Sequence, residues 1–209
     1  MNQRMRSVEL YNMDILDAEP KLDPVDIVPG RMVGFNYAKS SYIGDACVHF
    51  FIDDYQFERV WRFPTRYGYL RNAQCVCTPD FSLYQDFPYE LCRWNNYRSY
   101  ALGAWWQGQG LTVVPTLQWM DVDSYEWCFR YVPKHGTVAV CAKGSQRSKA
   151  SRAAFAYGLA NALEIVEPKR VLLLGKAEFD FGGIEVVRYA DEQIRRFENG
   201  KKRAQAEES

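Results

Sequence analysis

No stretch of this sequence stays apolar long enough to span a bilayer, and the residues after Met1 lack the apolar run of a secretory leader. A cytoplasmic protein with no membrane partner is the expectation. Histidine is scarce, at 2 in 209 residues. His49 lies inside an apolar run and His135 in a turn, and neither has the neighbours of a Ser/His or Cys/His dyad. None of the 6 cysteines forms a C-x-x-C pair, which argues against a zinc ribbon. The phosphate loop G-x-x-x-x-G-K-[ST], a G-x-G-x-x-G after a strand and the G-x-S-x-G elbow are all missing. Net charge is missing too. Lys and Arg total 26, as do Asp and Glu, so a broad basic face for duplex DNA is excluded and only a local patch remains open.

What is present is an ordinary globular mixture, 47% hydrophobic and 25% charged, in a chain large enough for a real core. Aromatics are plentiful at 15%, as layers between helices and a sheet require, although a stacking surface for bases would use them as well. Pro20, Pro24, Pro29 and Gly30 mark residues 1–30 as an irregular arm. Residues 31–190 read as one α/β domain, and 191–209 as a charged tail, helical or disordered.

Within the domain, apolar runs of strand length fall at 46–52, 72–77, 111–116, 137–142 and 171–174, and 184–187 suits a last edge strand. Helical spacing follows most of them. Phe57, Val60 and Trp61 come after Asp53 and Asp54, which suit an N-cap. Leu91, Trp94, Arg98, Leu102 and Trp105 mark the inner stripe of a long helix entered at Pro88, on which Trp94 and Arg98 could stack. Asp123 to Glu126 approaches a capping box. Phe155, Leu159, Leu163 and Val166 line a helix over 149–166. Strands alternating with helices predict a mainly parallel sheet of about five strands, either open or a partial barrel. Runs such as Leu172-Leu173-Leu174 lack polar alternation, as strands covered on both faces do. Cys75 and Cys77, two apart on a strand, share a face and suit small buried packing, with metal binding as the alternative.

In parallel α/β sheets, ligands bind beyond the carboxyl ends of the strands. Those ends carry Asp53 and Asp54, then the TPDFS turn at 78–82, the PTLQW turn at 115–119, the KGSQ loop at 143–146, and Lys176. Parallel strands would bring the 78–82 and 115–119 turns side by side. Asp80 is the candidate acid, base or metal ligand, with Asp53 its partner. Two carboxylates could hold a divalent metal, while Asp80 with Ser82 also suits an Asx turn after Pro79. Gly144 and Ser145 precede a helix and could cradle an anion, such as a nucleotide phosphate. Gln118 and Trp119 would form a wall, and Ser82, Asn95 and Arg98 would complete the ligand set. The alternative is a non-enzymatic module that engages single-stranded nucleic acid or a host or replication protein through its aromatics and Arg93, Arg98 and Arg147.

The strings VHFFIDDYQFERVW, TPDFSLYQDFP, WNNYR, GAWWQGQGLTVVPTLQW, SYEWCF, VAVCAKG and PKRVLLLGK occur in this order between about residues 28 and 176. Together they resemble the domain-of-unknown-function family 4417 (DUF4417), met in prokaryotes and largely in phage, prophage and other mobile-element genomes. The resemblance implies a phage or mobile-element setting. It brings no assigned activity, so no catalytic residue is carried over from it.

Overall fold

The structure, a computed structural model, describes residues 19–190. The tail expected at 191–209 and the arm at 1–18 lie outside the described residues. Seven strands are found among the described residues: β1 (Arg31–Gly34), β2 (Ala46–His49), β3 (Cys75–Cys77), β4 (Val113–Val114), β5 (Thr137–Cys141), β6 (Arg170–Leu174) and β7 (Glu185–Tyr189). Helices α1 (Phe35–Ala38), α2 (Arg59–Arg62), α3 (Tyr89–Gly108), α4 (Tyr125–Cys128) and α5 (Lys149–Val166) follow the first five strands in turn. Every ladder is parallel. The mainly parallel α/β arrangement expected from the sequence is found, with seven described strands where about five were read. The segment expected at 184–187 falls in β7, and β1 escapes the sequence pattern because its four residues follow Gly30 and end in Gly34, in a punctuated stretch.

The strands lie side by side in chain order. One sheet holds β1-β2-β3-β4 and a second holds β5-β6-β7. A parallel bridge between Thr116 and Ala139 joins them. There the Leu117 N–H donates to the Ala139 carbonyl and the Ala139 N–H to the Pro115 carbonyl, both at 2.8 Å.

Side-chain alternation sorts the strand residues into two cores. Val33, Val48, Val76, Val113, Val138, Val140, Val171 and Leu173 face the helices. Met32, Cys47, Cys75, Cys77, Val114, Ala139, Leu172 and Leu174 share a second cluster, with Cys141, Val187 and Tyr189 packed on it. That second cluster draws on all seven strands, which a flat sheet cannot arrange. The sheet therefore curls into a partial barrel with this cluster as its filling. β1 and β7 share no ladder, but the Tyr189 hydroxyl donates to the Pro29 carbonyl at 2.7 Å. Small thiols suit the tight interior, and Cys47 and Cys77 approach to 3.4 Å between sulfurs. The hydrogen bond with Cys47 and burial hold the Cys75 thiol well above its usual range, so it stays neutral.

The described part of the arm crosses the amino end of this barrel. Val25 and Ile27 pack on the inner cluster, whereas Val28 is exposed. The Val25 carbonyl accepts from the Thr137 N–H at 2.7 Å, and Arg170 pairs with both Asp26 and Glu185. With that end covered, the carboxyl end is the open mouth. Among the described residues no helix is long and apolar enough to cross a membrane.

Three local expectations are corrected. The first helix is broken into a 3-10 turn (Asp54–Gln56) and the short α2, and Asp53 makes no side-chain cap. The capping box is Asp121 with Ser124, not Asp123 with Glu126. On α3, Leu91 and Trp94 are exposed, and the inner face runs through Cys92, Asn96, Ser99, Leu102, Gly103 and Trp106. Polar residues can occupy that face because carbonyls meet them. Asn95, Asn96 and Ser99 donate to the carbonyls of Ser82, Trp127 and Pro79, which a hydrophobic count cannot register.

Candidate functional site

Parallel pairing of β3 with β4 brings the 78–82 and 115–119 turns together. They are locked by two reciprocal bonds. The Thr116 N–H donates to Thr78 Oγ1 at 2.9 Å, and Thr116 Oγ1 donates to the Thr78 carbonyl at 2.8 Å. Tyr100 of α3 donates its hydroxyl to the Thr116 carbonyl at 2.8 Å. Gly103 lets the helix approach this closely, because a Cβ there would lie 2.6 Å from Thr78 Cγ2.

The barrel mouth opens into a cleft of about 570 Å³ whose lining includes Asp53, Asp80, Ser82, Gln118, Trp119 and Gly144. A neighbouring cavity of about 340 Å³ shares Phe51, Asp80, Gln118, Trp119 and Cys141 with it, and reaches Ser145 and Phe155. Lys143 and Arg147 also line the larger cleft. Residues from four successive strand ends, β2 to β5, thus surround one space.

Asp80 is the half-buried floor of both cavities. With the Gln118 amide oriented to suit its neighbours, its nitrogen donates to Asp80 Oδ1 at 2.8 Å and to the Phe81 carbonyl at 3.1 Å. Loss of solvent, and then the Asp54 carboxylate, push the Asp80 carboxyl up to about 7. The Gln118 N–H favours the charged form and opposes that rise; a carboxyl raised toward the neutral range is suited to moving a proton in either direction.

The neighbouring carboxylates divide their work. Asp54, not Asp53, is tied to the Asp80 turn: its carboxylate accepts from the Ser82 N–H at 3.1 Å and from the Ser82 hydroxyl at 2.8 Å. Asp53 is exposed on the cleft wall. Among the described residues no three His, Cys, Asp or Glu side chains gather as a metal site.

Asn95 and Arg98 do not line the cleft; they brace its floor from behind. Asn95 donates to the Ser82 carbonyl at 2.8 Å and accepts from Arg98 Nε at 3.0 Å. Arg98 Nη1 reaches both Glu58 oxygens, at 2.7 and 2.9 Å. Its guanidinium lies 3.6 Å from the Phe81 ring centroid, so the expected Trp94–Arg98 stack is corrected to Arg98 on Phe81. Trp94 instead packs against Trp61 and Tyr97.

The loop after β5 turns at Gly144, whose φ of +81° is left-handed and favours glycine. Ser145 closes that turn, donating to the Ala142 carbonyl at 2.8 Å. The first turn of α5 is capped by Ser148, which accepts from the Ser151 N–H at 3.0 Å. Trp119 packs between Phe129 and α5, meeting the Phe155 ring of that helix, and a Cβ on Gly158 would come within 2.0 Å of its indole nitrogen. Sequence reasoning passed over Gln56, Tyr84 and Cys141 as lining residues. Cys141 had a usable signal, since it lies two residues beyond Ala139 on the inward face.

A family model described as a domain of unknown function (DUF4417) matches residues 11–189. The Gene 1 protein of Mycobacterium phage D29 is 37% identical over 166 residues, covering 77% of this chain and 61% of that protein. The Gene 1 protein of Mycobacterium phage L5 is 35% identical over 161 residues, covering 75% of this chain and 70% of its own. The chain thus spans less than two thirds of the D29 relative. No solved structure matches it.

Proposed function

The chain belongs to the DUF4417 family, with phage proteins among its relatives, and on that premise we propose that the barrel mouth is a ligand or catalytic site for a phosphate-bearing molecule. Asp80 is its acid–base group, Gln118 sets the orientation of that carboxyl, and the Lys143–Gly144–Arg147 wall receives the phosphate. The observation that carries this reading is a carboxyl raised toward the neutral range in the lining of a polar cleft that also contains Lys143 and Arg147. Charge-assisted hydrogen bonds from a guanidinium are the strongest means of holding a phosphate oxygen. The apolar inner cavity between Phe51, Trp119 and Phe155 suits a base or other planar group. A nucleotide joins those two chemistries, and a phage protein would meet nucleotides in the host cytoplasm.

A second reading has its own support. Tyr84 lines the cleft yet is 57% exposed, and an exposed ring in a cleft that also holds Arg147 suits stacking of single-stranded nucleic acid without chemistry.

A thermal-shift and calorimetric panel separates them, using nucleoside mono-, di- and triphosphates and short oligonucleotides on wild type, Arg147→Ala and Asp80→Asn. A mononucleotide should bind wild type, lose about tenfold in affinity to Arg147→Ala, and be retained but not turned over by Asp80→Asn. Binding of oligonucleotides alone, weakened by Tyr84→Ala, selects the second reading. If neither class raises the melting temperature, the site does not serve phosphate-bearing ligands.

A further inference from the structure

Between Glu58 and Asp80 the chain carries four arginines, Arg59, Arg62, Arg66 and Arg71, and no acidic residue. All four are exposed, and among the described residues none of them pairs with a carboxylate. Glu58, the acid just before them, is held by Arg98. Surfaces ordinarily intersperse both signs of charge. A run of one sign in a chain of zero formal charge therefore marks a face suited to an anionic partner. Aromatic rings lie among these cations. The Arg59 guanidinium is 5.6 Å from the Phe35 ring centroid, and Tyr67 meets the same ring edge-on at 5.4 Å. Tyr69 packs on Tyr67 at 6.1 Å, and Arg66 lies over Phe63 at 4.2 Å. Beside Tyr67 a groove of about 160 Å³ opens between a 3-10 segment (Pro64–Asn72) and the carboxyl end of α3. Its lining includes the half-buried rings of Tyr67 and Trp105, together with Arg71 and Gln109. Arg71 Nη2 donates to Gln109 Oε1 at 3.2 Å. The groove shares no lining residue with the barrel mouth.

We infer that this face binds single-stranded nucleic acid, its arginines taking phosphates and the groove between Tyr67 and Trp105 taking a base. Arginine holds phosphate oxygens through paired N–H donors. The carboxyl end of α3 accounts for a cation beside Gln109, but not for the other three arginines. Half-buried rings keep area open for stacking, which every base can use. Gln109, its amide oxygen already engaged by Arg71, keeps two N–H donors for the edge of that base. An acidic peptide would share the arginines but brings no planar group at each residue for the rings. A duplex keeps its bases stacked within itself and asks for a broader basic face. The inference does not depend on the barrel mouth taking a nucleotide, since the two places have separate linings.

The test is fluorescence polarisation with the full chain and a fluorescein-labelled oligothymidylate of about 12 nucleotides, titrated at several salt concentrations. Saturable binding is expected. The logarithm of the binding constant should fall with the logarithm of salt at a slope of about −2.8, for four neutralised phosphates. The double variant Arg62→Ala/Arg66→Ala removes only exposed side chains; it should keep the wild-type melting temperature and flatten the slope to about −1.4. Tyr67→Leu retains an apolar contact for Phe35 and should weaken binding at least about fivefold through lost stacking. The inference is overturned if no saturable binding occurs, if the double variant keeps the wild-type slope, or if Tyr67→Leu binds as tightly. It is also overturned if Arg147→Ala abolishes the binding, which would place the strand at the barrel mouth, or if polyglutamate or a duplex of the same length competes as well as the single strand. A failed mononucleotide titration at the mouth would leave this result standing.

Discussion

Replacing Asp80 by asparagine should stabilise the protein, and only above the acid range. The carboxyl rises from an ordinary value of 3.8 to about 7 in the fold. Below the unfolded value both folded and unfolded chains carry it neutral, and the substitution changes little. Between the two values the unfolded chain ionises first, so stability falls as pH rises; above about 7 the cost is complete. A gap of that size corresponds to roughly 4 kcal/mol at full ionisation, and solvent contact in the cleft reduces the expectation to about 2 kcal/mol. Asparagine keeps an oxygen for the Gln118 amide and removes the charge facing Asp54. Urea unfolding of wild type and variant at steps from about pH 4 to 8.5 measures the difference directly. The curves should meet at the acid end and separate with the variant above. Parallel curves, or a variant less stable at the alkaline end, would refute the claim that burial and Asp54 hold this carboxyl neutral. Stability gained by deleting a charged group is also what a residue retained for activity would show.

Gly158→Ala should lower the melting temperature, by about 1–3 kcal/mol in stability. The added methyl would lie 2.0 Å from the Trp119 indole nitrogen, so near-UV circular dichroism should register a displaced tryptophan. Thr78→Val keeps shape but strands the buried Thr116 N–H; chemical denaturation should show a loss of about 1–3 kcal/mol, with Thr78→Ser close to wild type. At the opposite end of the barrel, bonding to Lys169 and then Arg170 holds Asp26 below the usual carboxylate range, and bonding to Arg170 does the same for Glu185. Such groups stabilise above the ordinary carboxylate values, and the benefit is lost as pH falls through their lowered ones. Arg170→Met should therefore flatten the acid limb of the stability profile.

The parallel α/β order was legible because strand runs and helical spacing alternate along the chain, and α5 falls where its apolar stripe places it. The curl was not, because Met32, Cys47 and Leu172 look like any buried strand residues until one cluster joins all seven strands. Asp80 stood out through its position after a strand, whereas its partner did not. Asp53 and Asp54 are chemically alike, and only the tight turn at 54–56 decides which one reaches Ser82. Asn95, Asn96 and Ser99 misled the stripe on α3 because buried amides and hydroxyls are made tolerable by distant carbonyls. Such pairings follow from the fold and leave no trace in local periodicity.

The neighbour-by-neighbour strand order bears on how the chain could be assembled during translation. Each new strand finds its ladder partner already extruded from the ribosome, so the barrel can grow in one direction without waiting for a distant segment. The mouth gains its polar groups in the same sequence. Asp80 emerges before Gln118 and the cationic loop of the same cleft, and a nascent chain halted before β5 would present that carboxyl to water with less of the burial that raises it.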